Sequence, residues 1–137
     1  QGKPMPIFGD GAQQRAFTYV GDVAGILASA PLMPAARNQL FNLGAERPCS
    51  VNELAQKVAE ALNVPADIEY LPRRHEVDVA FCDHARCRDI FGPIQEISLE
   101  EGLQRMARWV KKVGSRQSSE FTAIEITEKL PEAWSSL

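Results

Sequence analysis

Apolar residues fall along this chain in short clusters that alternate between strand-like and helical spacing. Met5 to Phe8 is a short apolar run inside a Gly- and Pro-rich opening, and Phe17 to Val20 is a second; both predict strands. Between them Asp10-Gly11 marks a turn, because glycine tolerates positive φ. Asp22 offers a side-chain cap for a helix from Val23 to about Met33, whose apolar positions Val23, Ile26, Leu27 and Ala30 have helical spacing. Leu40 to Leu43, between Pro34 and Gly44, is too short for a helix and predicts a buried strand.

Ser50-Val51-Asn52-Glu53 is a capping box, and the helix it opens carries Leu54, Val58, Ala61 and Leu62 on one face and ends near Asn63. Asp67 to Leu71 alternates and predicts a strand, and Val77 to Cys82 a further extended piece. Asp83 caps a short helix that stops before Gly92. Ser98-Leu99-Glu100-Glu101 repeats the capping-box pattern. Its helix runs to about Val113 and stops at Gly114, with Lys111 and Lys112 at the negative end of the helix dipole. Beyond a polar joint at residues 115–119, Phe121, Ile124, Ile126, Leu130 and Trp134 predict a tail that docks on the body. Alternating strands and helices make the fold class mixed α/β, with strands too few and short for a complete doubly wound sheet.

The 137 residues are 45% hydrophobic, which suits one globular domain. The net charge of −3 is spread without a basic block, so nucleic acid is not an expected partner. No apolar run approaches the roughly 20 residues a membrane span needs. The opening residues carry no signal-peptide pattern, and the expected location is the cytoplasm. Cys49, Cys82 and Cys87 have no framework spacing and are expected as free thiols. Cys82, His84 and Cys87 lie close together, but no fourth ligand follows at motif spacing, so no metal site is assigned.

Gly9-Asp10-Gly11-Ala12-Gln13-Gln14 has only half of a dinucleotide fingerprint. Gln14 stands at the sixth position and no helix begins there to face a pyrophosphate, so the segment is read as a tight turn between strands. Arg15 follows that turn, and Arg73-Arg74-His75-Glu76 follows Pro72 at another strand end. Two such arginines suit a diphosphate clamp, since guanidinium forms bidentate, charge-assisted bonds to phosphate oxygens. Glu76, acceptor-only, suits sugar or ribose hydroxyls. A solvated charged loop is the competing reading of the same residues. No catalytic constellation is present: His75 and His84 read as surface residues, Tyr19 as a strand aromatic, and neither Tyr19 nor Tyr70 is followed four residues later by lysine.

Residues 6 to 24, from Pro6-Ile7-Phe8-Gly9-Asp10-Gly11 through Arg15-Ala16-Phe17-Thr18-Tyr19-Val20 to Ala24, resemble a segment of extended short-chain dehydrogenases/reductases that act on nucleotide sugars. Leu40-Phe41-Asn42-Leu43-Gly44 resembles that family's Phe-Asn-Val-Gly strand. Ser50 to Ala55 resembles its next helix start, and Pro72 to Val77 its Pro-x-Arg-x-Gly-Asp/Glu-Val loop, with His75 replacing glycine. Glu100-Glu101-Gly102-Leu103 and Trp109 fit its late helix. The resemblance implies that residues 1–137 form the C-terminal, substrate-binding part of an NAD-dependent epimerase or dehydratase similar to UDP-glucose 4-epimerase. It implies diphosphate contacts for Arg15 and Arg73, a ribose contact for Glu76, Pro6 and Phe8 bordering the base, and Phe17 near the substrate.

The family's NAD loop and its Tyr-x-x-x-Lys pair match no segment here. The expected partners are therefore a nucleoside-diphosphate sugar, an N-terminal Rossmann half that holds NAD, and a second copy of the chain, covering Leu40 to Leu43. A non-catalytic sugar-nucleotide-binding module is the alternative function.

Overall fold

The computed structural model describes residues 2–114. The tail expected at residues 115–137 lies outside the described residues. Among the described residues the fold is mixed α/β, with two small sheets and four α-helices.

Strand β1 (Met5–Phe8) pairs in parallel with β4 (Ile68–Leu71), in register from Met5 opposite Ile68 to Phe8 opposite Leu71. Both strands come from the apolar runs expected to form them. Parallel neighbours require a long crossover, and here the whole middle of the chain supplies it. Ile7 of β1 is buried in the core.

The second sheet is smaller and mixed, in the order β3 (Cys49–Ser50), β2 (Gln14–Arg15), β5 (Val79–Ala80). Arg15 lies opposite Cys49 across an antiparallel pair and opposite Ala80 across a parallel one. The turn at Gly9 to Gln13 thus joins two strands of different sheets and is not a hairpin. The strand expected at Phe17 to Val20 does not form; extended pairing stops at Arg15, and Tyr19 occupies the N-cap position of the next helix.

That helix, α1 (Val20–Ser29), begins and ends earlier than the apolar spacing predicted. Its end has a plain cause: Pro31 lacks an N–H and its ring would crowd the carbonyl four residues back. The chain continues as two 3₁₀ turns, Ala30–Leu32 and Pro34–Ala36. Asp22 is not its cap. It sits in the first turn, where a carboxylate suits the helix dipole, and its Oδ2 accepts a hydrogen bond from the Ile97 N–H at 3.2 Å. No residue of α1 is buried.

Helix α2 (Val51–Leu62) opens on a complete capping box. The Glu53 N–H donates to Ser50 Oγ at 3.1 Å, and the Ser50 N–H donates to Glu53 Oε2 at 2.8 Å. The helix closes at Asn63, held at φ 59°. Helix α3 (Ala85–Phe91) follows Asp83, whose Oδ1 accepts the Ala85 N–H at 2.8 Å. Helix α4 (Leu99–Val113) is capped by Ser98 Oγ, which accepts the Glu101 N–H at 3.1 Å. The reciprocal half of that box is not made, because Glu101 turns to Arg105 one helical turn on.

α2 packs against α4 through small residues: Ala55 and Ala59 on one helix, Gly102 and Ala107 on the other, are all buried. Lys57 and Glu100 bridge the pair at its edge.

Leu40 to Leu43 does not form the predicted strand, and no described strand pairs with it. A strand exists only through its neighbours' N–H and C=O groups. The segment is tied instead by side chains to the region around α3. The Phe41 ring meets Phe91 edge-on with centroids 5.2 Å apart, and Asn42 Nδ2 donates to the Asp83 carbonyl at 3.2 Å. Leu40 itself is 81% exposed.

Candidate functional site

The parallel β1–β4 ladder delivers both chain segments to the same sheet end, so Phe8 and the loop after Leu71 emerge side by side. Gly9, at φ +79°, continues the ladder by donating its N–H to the Leu71 carbonyl at 2.9 Å. A Cβ on Gly9 would stand 3.3 Å from Arg73 Cγ, so its bare backbone lets the Arg73 stem pass. The Arg74 guanidinium lies over the Phe8 ring, 3.3 Å from its centroid, and its Nε is buried without a hydrogen-bond partner.

Between these residues lies an open cleft of about 270 Å³, lined by Phe8 to Asp10, Gln13, Arg73, Arg74, Glu76 and Asp78 among others. Gln13 Nε2 braces its rim by donating to the Phe8 carbonyl at 3.1 Å. The volume falls just below the roughly 300–1,000 Å³ of pockets that enclose a whole organic ligand. It suits a diphosphate or a ribose.

Arg15 reaches the cleft through Glu76, with Nη2 3.5 Å from Glu76 Oε2. Its Nη1 donates to the Gln14 carbonyl at 2.7 Å. Arg73 pairs with Asp78. The side chains of Arg73 and Asp78 are 66% and 77% exposed, so their attraction is screened and worth about 0–1 kcal/mol. An incoming phosphate, which offers charge-assisted bonds to the same fork, displaces such a carboxylate at small cost.

The structure therefore brings together Arg15, Arg73, Glu76 and Phe8 of the residues singled out in the sequence. Pro6 is exposed on β1 and does not line the cleft. Phe17 lies elsewhere, in a groove beside Ile97 and Leu99 at the start of α4. Arg74 and Asp78 complete the cleft without having been assigned a role; the signal for both was adjacency to Arg73 and Glu76 in one charged loop.

The histidine reading needs correction. His84, expected at the surface, is 1% exposed. Its Nε2 lies 3.3 Å from Cys82 Sγ and its Nδ1 3.3 Å from Glu46 Oε1. Cys87, three residues on, is fully buried, and burial pushes its thiol pKa up. The three cysteines are free thiols. Among the described residues no three His, Cys, Asp or Glu side chains converge to hold a metal ion. Among the same residues, no helix is long and apolar enough to cross a membrane.

No family model matches the chain. Individual proteins do. A UDP-glucuronate 4-epimerase of Thermodesulfobacterium geofontis is 37% identical over 113 residues, which are 80% of this chain and 34% of that protein. The crystal structure of a UDP-glucose 4-epimerase from Thermotoga maritima, solved with UDP-glucose, superposes with a TM-score of 0.69 at 31% identity, over 81% of this chain and 36% of its own. An NAD-dependent NDP-hexosamine 5,6-dehydratase of known structure gives a TM-score of 0.68 at 28% identity, over 82% of this chain and 35% of its own.

The chain belongs to the extended short-chain dehydrogenase/reductase family, and matches part of its nucleotide-sugar epimerases and dehydratases. It spans about one third of the length of the relatives it matches. The family resemblance of Pro72 to Val77 thus coincides with the loop that builds the cleft, and that of Pro6 to Arg15 with the strand and turn facing it.

Proposed function

We propose that this chain is the C-terminal, sugar-nucleotide-binding portion of an NAD-dependent nucleoside-diphosphate-sugar epimerase or dehydratase. In that reading Arg15 and Arg73 hold the diphosphate, Glu76 accepts from a ribose hydroxyl, and Phe8 borders the base. Pro6, expected to border the base, and Phe17, expected near the substrate, lie outside the cleft and take no part in this reading. The observation that carries the reading is the convergence of Arg73, Arg74 and Glu76 on one cleft beside an aromatic ring, with Arg15 paired to Glu76 at its edge, built by segments about sixty residues apart. Two forks of opposite origin, each held by an exposed carboxylate, match an anionic ligand that replaces both carboxylates at once.

The cleft is too small and too open to enclose a whole nucleotide sugar, so the sugar and the dinucleotide belong to a Rossmann half outside these residues. The family's chemistry needs a tyrosine that moves a proton and an NAD that takes and returns a hydride. Neither Tyr19, whose ring packs beside Gly102 of α4, nor Tyr70 has a lysine four residues on. This part of the enzyme therefore binds and orients, and its residues carry no step of the reaction. The competing reading, a module that only binds, shares the cleft and differs in lacking that half.

Titration of the 137-residue chain with UDP-glucose, followed by NMR, tests the reading. Resonances of Phe8, Arg15, Arg73 and Arg74 should shift, with no conversion of the sugar and no tight NAD binding. Shifts confined to other surfaces, or none, overturn the assignment of the cleft. Epimerised or dehydrated product from the chain alone would overturn the division of labour.

A further inference from the structure

Away from the arginine cleft, one cysteine, one histidine and one glutamate stand in line. Cys82 is an exposed residue just after β5, its Sγ in a part-buried contact with the ring behind it. His84 lies immediately behind it and is 1% exposed, with Nε2 3.3 Å from Cys82 Sγ. Glu46 lies behind the ring, its Oε1 3.3 Å from His84 Nδ1. The buried Nδ1 makes no aligned hydrogen bond, and the Glu46 carboxylate is the acidic group facing it. Arg88 pairs with the same Glu46 oxygen and holds it in place, and reaches Asp83 at 3.8 Å.

A thiol, an imidazole and a carboxylate in that order are what a cysteine needs to act as a nucleophile. The thiolate is the attacking species, an adjacent imidazole takes the proton, and a third group orients the ring. Any buried imidazole needs polar partners; what sets His84 apart is that its Nε2 faces the thiol of an exposed cysteine. The remaining cysteines provide an internal contrast. Cys87 is fully buried, and burial raises its thiol pKa. Cys49 is partly buried, and burial and then the Glu53 carboxylate raise its thiol in the same direction.

We propose that Cys82 is a nucleophilic thiol activated by His84 and Glu46, and that this cluster is a site of covalent modification by low-molecular-weight disulfides. His84 Nε2 takes the proton of the Cys82 thiol. The sulfur attacks one sulfur of the disulfide, and the S–S bond breaks. The departing thiolate leaves with the bonding pair and receives the proton from the imidazolium. Cys82 is thereby oxidised to a mixed disulfide, and one thiol is released reduced. A small-molecule thiol reverses the step by the same exchange.

The test is a rate comparison on the 137-residue chain at neutral pH, with glutathione disulfide as oxidant and iodoacetamide as a second probe, read by mass spectrometry of the three cysteine peptides. The same measurement on the chain unfolded in denaturant gives each thiol's ordinary reactivity. Exposure alone cannot make a folded thiol faster than the unfolded one, so a native rate for Cys82 roughly tenfold above its unfolded rate is the expected result. Cys49 and Cys87 should be slower folded than unfolded. Glu46→Gln and His84→Gln should each return Cys82 to the unfolded rate or below. If His84→Gln opens the fold, Cys87 becomes labelled, and Glu46→Gln, at a half-exposed position, then decides. A native Cys82 rate at or below the unfolded rate, or one that Glu46→Gln leaves unchanged, overturns the proposal.

Discussion

The side-chain amide of Asn52 occupies the place where a Cβ on Gly11 would stand. Asn52 Nδ2 donates to the Asp10 carbonyl at 2.8 Å, its own N–H donates to the Gly11 carbonyl at 3.1 Å, and its Oδ1 accepts from the Tyr70 hydroxyl at 3.1 Å. One residue at the start of α2 thus locks the turn that carries β1 into β2 and ties it to β4. Gly11 is at φ +73°, where an L side chain is strained even in open space. Gly11→Ala should destabilise the chain by more than the roughly 1–2 kcal/mol of the backbone penalty, because Asn52 must also move. Urea unfolding measures this, and an unchanged midpoint would show that the turn is not locked.

Ser50→Ala and Ser98→Ala should differ. Each removes a cap worth about 0.5–2 kcal/mol. Ser50 carries a complete box, while Glu101 makes no return bond to Ser98. The loss at Ser50 should therefore be the larger in the same unfolding measurement.

The capping boxes show how much the sequence reveals when the signal is local. Ser50, Glu53 and Ser98 sit within one turn of the groups they satisfy, and both helices start where their spacing says. The ladder of Met5–Phe8 with Ile68–Leu71 was legible as two strands but not as a pair. β2, only two residues long, was not legible at all, since its existence depends on Cys49–Ser50 and Val79–Ala80. The Leu40–Leu43 misreading has the same root: apolar character marks a residue that wants a neighbour, not whether one is at hand. At the cleft, Arg15, Arg73 and Glu76 were singled out by loop chemistry and by the family resemblance, and Arg74 was passed over because stacking on Phe8 is a tertiary relation. His84 looked like a surface residue because nothing in its own segment announces Glu46.

Acid should weaken the fold through Glu53 and Glu100. Hydrogen bonds from Ser50 lower the Glu53 pKa, and the Lys57 ammonium lowers that of Glu100. A carboxyl depressed on folding contributes stability that is fully present above its unfolded pKa and is lost as pH falls through its folded pKa. Thermal unfolding should therefore drop on going below the ordinary glutamate range. Glu53→Gln keeps an acceptor for the Ser50 N–H while removing the titration, so it should flatten that dependence without abolishing the cap. An equally steep acid profile in the Glu53→Gln and Glu100→Gln double variant would show that other carboxyls dominate.

In the cleft, Arg73→Ala should weaken UDP-sugar binding by about 1.5–3 kcal/mol, the worth of a hydrogen bond to a charged group. Arg15→Ala should do the same, and in an enzyme carrying the proposed Rossmann half neither should change NAD affinity appreciably. Calorimetry that finds sugar-nucleotide affinity unaltered in both variants removes these residues from the site.

The chain should associate with itself, though not by the edge pairing its sequence suggested. With no strand at Leu40 to Leu43, one apolar surface offered for contact is α1 and the turns after it, where Leu27 and Leu32 are 63% and 83% exposed, together with Leu40. Contiguous apolar surface of this kind is uncommon on monomers. Light scattering of the 137-residue chain should show concentration-dependent association, reduced by Leu27→Glu. A monomer at high micromolar concentration would show that this surface is already covered.

The parallel register of Met5 with Ile68 has a kinetic meaning. Those residues meet only after the long intervening loop has closed, and such contacts are entropically expensive and slow to form. The arginine cleft cannot be assembled by a local nucleus, because Phe8 and Arg73 stand on the two sides of that closure. Occupancy of the cleft therefore depends on that closure and stabilises it. A bound diphosphate should slow unfolding as a whole, with amides of β1 and β4 gaining hydrogen-exchange protection together, and a chain interrupted in the crossover should lose the cleft with every one of its side chains still present.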